Sequence, residues 1–264
     1  MENINYVSKG KTGDLVHCLL VIKKNYEKTG KKGNLYITDR SAFFGDTFQC
    51  GLKKTYEDLS PVLKIQKYIN SFEILSDEIV LNEFVDLNSW RASGLVYKKC
   101  WTEILSGTYG IGTSISRWLD YETVDGLSDV VLIHRSLHRH SSIFPWESII
   151  KNNKCKFITN LFSVQEYEQF PYKNDVELLL CNSFSDFVRN INSCKIFVGN
   201  LSAPLAICHA LNKPHLCELW KHSDEANDEI HYSEEKKYFK DFFYIQNNGT
   251  RYVDGIEKFL LLKN

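Results

Sequence analysis

Apolar and polar positions along the chain switch between two periods. Asn5 to Ser8 is a short apolar run that predicts a first strand. From Asp14 to Lys28 the apolar residues fall at positions 15, 18, 19, 22 and 26, the spacing of one helical face. Asn34 to Thr38 predicts a second strand. Lys53 to Asn70 reads as helical with Pro61 as a kink. Phe72 to Leu75 and Ile79 to Leu81 are further strand candidates. From Asn82 to Asp125 neither period holds, and this stretch carries Trp90, Trp101 and Trp118.

A second and clearer series follows. Val130 to His134 predicts a strand, Trp146 to Lys151 a helix, Lys156 to Ile158 a strand and Val164 to Phe170 a helix. Val176 to Cys181, Lys195 to Val198 and His215 to Leu219 predict strands; Phe184 to Asn192 and Ser202 to Leu211 predict helices between them. Lys221 to Lys237 is polar and acidic, a loop or surface helix, and Ile256 to Leu262 predicts a terminal helix. Strand–helix alternation of this kind implies parallel sheets covered by helices on both faces. Each series is long enough for its own doubly wound domain, residues 1–126 and residues 127–264.

Composition narrows the function. The 264 residues are 43% hydrophobic and 25% charged, which excludes a disordered chain. A net charge of −1 gives no electrostatic basis for binding nucleic acid. No apolar run is long enough for a transmembrane segment, and the first residues lack the order of a signal peptide. The eight cysteines form no C-x-x-C pair, so structural zinc is not expected. They read as small hydrophobes in a reducing, cytoplasmic setting.

Three segments are placed to carry chemistry. Ser8-Lys9-Gly10-Lys11-Thr12-Gly13-Asp14 is a turn between a strand and a helix, where ligands bind in open α/β sheets. It is not a P-loop, because Asn5 stands where that motif needs glycine, and it lacks a dinucleotide fingerprint. Asp14 reads either as a helix N-cap or as a general base in a cleft. His17, one turn on, either lines that cleft or packs inside. Phe197 to Ile207 is a strand, a turn and a helix with Pro204 in its first turn; Ser202 is the natural N-cap, and the helix start is either an anion site or an ordinary capped turn.

The third segment, His134-Arg135-Ser136-Leu137-His138-Arg139-His140, follows the strongest strand. It is a solvated basic loop or a phosphate site, since arginine forks match phosphate oxygens; no carboxylate or cysteine completes a metal set. Glu218 is a ribose acceptor or a surface acid, and Glu166 reads as part of a solvated helix face. No D-x-D points to a divalent metal.

Lys9 to His17 resembles the N-terminal G-x-G-D-x-[IV]-x-x-L signature of GT-B glycosyltransferases of the heptosyltransferase type. Phe197 to Ala206 is similar to that family's donor signature, and Arg135-Ser136 falls where its donor domain begins. The resemblance implies an α/β fold of two Rossmann-like domains facing across a cleft. The N-terminal domain binds a glycan acceptor and the C-terminal domain a nucleotide-diphosphate sugar. Transfer inverts the anomeric centre, with no metal and no cofactor. On this reading Asp14 is the base. Gly199, Asn200 and Ser202 match the donor-phosphate turn; the residue pattern adds Arg135, Ser136, Arg139 and Glu218 as candidates on the donor side and Lys9, Gly10, Gly13 and His17 on the acceptor side. The family's D-T-G-x-x-H-L stretch reads Asn200-Leu201-Ser202-Ala203-Pro204-Leu205-Ala206 here, without its acid and its histidine. Two rival readings are a non-catalytic nucleotide- or glycan-binding module and a nucleotide-dependent oxidoreductase, the latter disfavoured by the missing dinucleotide fingerprint.

Overall fold

The structure is a computed structural model. It describes residues 2–95, 101–112, 116–138, 140, 144–160, 162–218, 242–246 and 250–254. The chain divides into two compact units, Met1–Asp120 and Tyr121–Asn264. The division falls earlier than residue 126 because hydrogen bonds sort the connecting residues. Gln66 of the first unit grips Asp120 from both sides, Nε2 donating to its carbonyl at 2.8 Å and Oε1 accepting from its N–H at 2.9 Å. The carbonyls of Tyr121 and Glu122 instead accept from Asn192 of the second unit, at 2.7 and 3.2 Å.

Unit 1 contains β1 (Ile4–Ser8), α1 (Thr12–Thr29), β2 (Gly33–Ile37), α2 (Leu52–Leu63), β3 (Ile69–Ile74), β4 (Val85–Asp86), a 3-10 turn at Ser89–Ala92 and α3 (Trp101–Tyr109). Its four strands are parallel in the order β3-β2-β1-β4. The apolar residues of α1, Leu15, Leu19 and Ile22 among them, are fully buried. Two expectations are corrected. The helix after residue 52 stops at Leu63, because Gln66 and Ile69 turn the chain through N–H bonds to Leu63 and Gln66 carbonyls, at 3.1 and 2.9 Å. Ile79 to Leu81 is not a strand; the Ile79 carbonyl is taken by the Arg40 guanidinium, and the fourth strand is the two-residue β4.

Unit 2 contains β5 (Val131–His134), α4 (Trp146–Lys151), β6 (Cys155–Asn160), α5 (Val164–Glu168), β7 (Glu177–Cys181), α6 (Phe184–Ser193), β8 (Ile196–Asn200), α7 (Ala203–Ala210), β9 (His215–Glu218), β10 (Phe242–Gln246) and β11 (Thr250–Asp254). The strand order is β11-β10-β9-β8-β5-β6-β7. The strands from β9 to β7 pair in parallel, and β10 and β11 are added antiparallel at one edge. The apolar pattern of the sequence does not predict these two strands. The segments Lys221 to Lys237 and Ile256 to Leu262 lie outside the described residues.

The unit 2 core packs Val131, Ile133, Phe157, Val198 and Leu216 from the sheet against Trp146, Ile149 and Phe170. Each such side chain contributes roughly 1.5–3 kcal/mol of burial. Cys18, Cys181, Cys194, Cys208 and Cys217 are buried within the apolar interiors. Burial pushes the Cys194 thiol up to about 12, which keeps it protonated and inert.

Candidate active site

Each sheet reverses its strand order at one point, and open α/β sheets bind ligands outside the carboxyl ends of the strands there. In unit 1 the reversal lies between β1 and β4. Residues 9–14 leave β1 at this point, and the 3-10 turn at Ser89–Ala92 leaves β4. In unit 2 the reversal lies between β5 and β8, so residues 135–138 and residues 201–202 flank it.

Asp14 is not an N-cap. Helix α1 begins at Thr12 with Lys11 in the cap position, so Asp14 is the third helical residue, within the first turn. Its carboxylate is mostly shielded and accepts from Nη2 of Arg91. Burial pushes its pKa above the ordinary carboxylate value, against the pull of Arg91 and Lys11; Asp46 adds to the rise. Gly10 has φ +140°, and a Cβ there would come to 3.2 Å from Nη2 of Arg91. Gly13 lies in the first turn of α1.

Two acceptor-side expectations are corrected. Lys9 is 7% exposed, and its ammonium donates to the Arg40 carbonyl at 3.0 Å, so it braces the loop after β2 instead of facing a ligand. His17 does not line an open surface. It is 5% exposed and stacks on Trp101, ring centroids 4.3 Å apart, with Trp118 at 6.5 Å. Trp90 meets Trp101 edge-on at 4.6 Å, so all three tryptophans of the unassigned stretch build one aromatic floor beneath α1.

In unit 2 the turn after β8 is held from below. Gly199 is required because a Cβ would sit 2.5 Å from the His134 carbonyl on the neighbouring strand. Asn200 is wholly buried. Its Oδ1 accepts from the Ser136 N–H at 2.9 Å, and its Nδ2 donates to the carbonyls of Ser136 and His138, at 3.3 and 2.6 Å. Its amide therefore fixes the loop after β5 and is not presented to a donor. Ser202 occupies the cap position of α7 in extended conformation, but its hydroxyl donates back to the Asn200 carbonyl at 3.0 Å and does not cap the helix. Pro204 lies in the first turn, as expected.

The basic cluster disperses. Arg135 directs its fork at Glu218, Nε to Oε2 at 2.8 Å and Nη2 to Oε1 at 2.7 Å, and its guanidinium lies 5.8 Å from the Trp146 ring. Glu218 has no exposed surface, so it is Arg135's buried partner and not a ribose acceptor. The Ser136 hydroxyl donates to the His138 carbonyl at 3.3 Å. Arg139 lies outside the described residues.

His134 turns inward. Its Nδ1 is 3.0 Å from the Ile158 carbonyl and its Nε2 is 3.5 Å from Oε2 of Glu166. Glu166 is thus not on a solvated face. Burial lowers the His134 pKa to about 4 and raises that of Glu166 to about 7. Among the described residues no group of three or more His, Cys, Asp or Glu side chains is placed to hold a metal ion, and no helix is long and apolar enough to cross a membrane.

The two units together define an α/β protein of two Rossmann-like units, the fold of GT-B glycosyltransferases. The solved structure of E. coli heptosyltransferase WaaC with ADP is similar with a TM-score of 0.51, over 81% of this chain and 86% of that one, at 12% identity. The iron-containing dodecameric glycosyltransferase TibC from enterotoxigenic E. coli is similar with a TM-score of 0.52, over 82% of this chain and 58% of that one, also at 12% identity. No protein-family model matches the chain, and no curated protein matches it.

Proposed function

We propose that the chain is a glycosyltransferase. It moves a sugar from a nucleotide-diphosphate sugar to a hydroxyl of a glycan acceptor, with inversion, and with no metal or cofactor. Unit 1 takes the acceptor and unit 2 the donor. The observation that carries this reading is Asp14: a shielded carboxylate with a raised pKa, at the switch point of the first sheet. A base needs a pKa moved toward the operating pH, and burial moves it that way.

The acceptor oxygen forms a bond to the anomeric carbon while the bond from that carbon to the diphosphate breaks, and the electron pair leaves on the nucleoside diphosphate. The acceptor proton goes to Asp14. Growing charge on the leaving group needs donors preorganised before reaction. The start of α7, with Gly199 beneath it and Ser202 beside it, supplies main-chain N–H groups and the positive end of the helix dipole. Asn200 and the Arg135–Glu218 pair act underneath, by holding the two loops that flank the switch point.

The test is a thermal-shift panel of UDP-, GDP-, ADP- and CMP-sugars, followed by donor turnover with the sugar that binds. A ligand of the native state raises the melting temperature. Stabilisation by one nucleotide class together with sugar transfer is the expected result. Binding without any turnover favours the second reading, a non-catalytic nucleotide- or glycan-binding module. That reading draws on the donor stretch, where the family's acid and histidine are replaced by Asn200 and Leu205. Absence of binding in the whole panel rejects the transferase reading and the nucleotide-binding form of the module.

A further inference from the structure

Arg91 belongs to none of the motifs, yet it is the side chain that touches Asp14. It stands 77 residues along the chain from that acid. The two-residue strand β4 carries it to the switch point of unit 1. Its Nη2 donates to Oδ2 of Asp14 and lies 3.9 Å from Oδ2 of Asp46. Its guanidinium lies over the Trp90 ring, 4.5 Å from the centroid, and Trp90 in turn is wedged against Trp101. Gly10 leaves room for it on the other side. The guanidinium is thus fixed by an aromatic face, a bare backbone and two carboxylates.

A charge-assisted bond to one oxygen of a carboxylate stops its rotation and sorts the two oxygens into different roles. We propose that Arg91 is a positioning residue for Asp14: it holds Oδ2, so that Oδ1 is the oxygen that meets an incoming hydroxyl and receives its proton. This rests on the reading of Asp14 as the base. It also explains Gly10, whose side chain would press on the guanidinium.

The charged and titratable groups that face Asp14 are Lys11 from the turn before α1, Asp46 from the loop after β2, Arg91 from the turn after β4 and the Cys18 thiol one turn along α1. Lys11 and Asp46 are 3.7 Å apart and offset each other. Arg91 is therefore the cation whose removal changes the field at Asp14.

The test is a carboxyl carbon-13 titration of the full chain without ligands, with the Asp14 signal assigned from Asp14→Asn. In Arg91→Gln the Asp14 midpoint rises by about one pH unit or more, the range expected when an adjacent opposite charge is lost. With the active donor, the acidic limb of the kcat profile rises by the same amount. An unmoved Asp14 midpoint overturns the proposal, and so does a fall in kcat with an unmoved limb. Should Arg91→Gln fail to fold, Arg91→Lys decides. It keeps the charge but not the planar fork, so the midpoint stays within a few tenths of a unit while kcat falls about tenfold; unchanged kcat overturns the proposal. If no donor supports transfer, the functional reading fails on its own, and the titration still decides whether Arg91 governs Asp14.

Discussion

Glu218 gives both carboxylate oxygens to Arg135, at 2.8 Å from Nε and 2.7 Å from Nη2, with no part of the acid exposed. The pair ties the end of β9 to the loop after β5, across β8, which lies between those two strands in the sheet. Removing the negative partner strands a guanidinium that is itself mostly buried. Glu218→Gln is expected to cost about 3–5 kcal/mol, the usual penalty for breaking a buried pair from one side. Urea unfolding measures it, and the loss falls on the transition of unit 2. A change below about 1 kcal/mol would mean that the pair behaves like an exposed one.

Asn200 explains one departure from the heptosyltransferase stretch. The position faces two carbonyls, of Ser136 and His138, so it needs a donor, and an amide supplies one where an ionised acid cannot. Asn200→Asp should therefore not restore a family feature. It is expected to destabilise unit 2 by about 1–3 kcal/mol through two carbonyls left without their donor, and, on the proposed function, to weaken nucleotide binding by loosening the loop after β5. A melting temperature equal to that of the parent chain would refute this account.

The parts of the site that were legible are those carried by local pattern. A strand, a turn and a helix in immediate succession placed Asp14 after β1 and Ser202 before α7. What stayed hidden depends on distant partners. Two residues of β4 show no periodicity, yet they create the reversal that brings Arg91 to Asp14. Glu218 pairs with Arg135 83 residues away, so a motif could name both and still misassign their roles. The antiparallel pair β10–β11 did leave a trace: Phe242 to Gln246 and Thr250 to Asp254 are rich in β-branched and aromatic residues. Glu166 was misplaced because a short helix has too few positions to reveal which face is buried.

Asp14→Asn separates binding from chemistry. The amide can keep a hydrogen bond near Arg91 but cannot take a proton. Transfer is expected to drop by at least about 10²-fold, as for a lost general base. On the proposed function, a nucleotide-induced rise in melting temperature should persist, because the substitution leaves the start of α7 in unit 2 untouched. Steady-state turnover beside a thermal shift reads both, and turnover equal to that of the parent chain removes Asp14 from the proposed mechanism.

His134 and Glu166 set a pH dependence whose sign can be worked out. The Ile158 carbonyl can only accept, so the proton on His134 sits on Nδ1 and Nε2 is left as an acceptor facing Glu166. The folded pKa of Glu166 is raised to about 7, so its contribution to stability is present below its unfolded value and is lost as pH rises through 7. The folded pKa of His134 is lowered to about 4, so its contribution is present above its unfolded value of 6.5 and is lost as pH falls through 4. Between roughly pH 4.5 and 6.5 the folded pair holds one proton on Glu166 and the unfolded pair holds one on His134, so the two slopes cancel. Glu166→Gln removes one side of that balance. Its stability should then climb with pH relative to the parent chain, by about 1.4 kcal/mol per unit for one proton over that window. Urea unfolding at pH 5 and pH 6 measures the difference, and parallel profiles for the two proteins would show that Glu166 takes up no proton on folding.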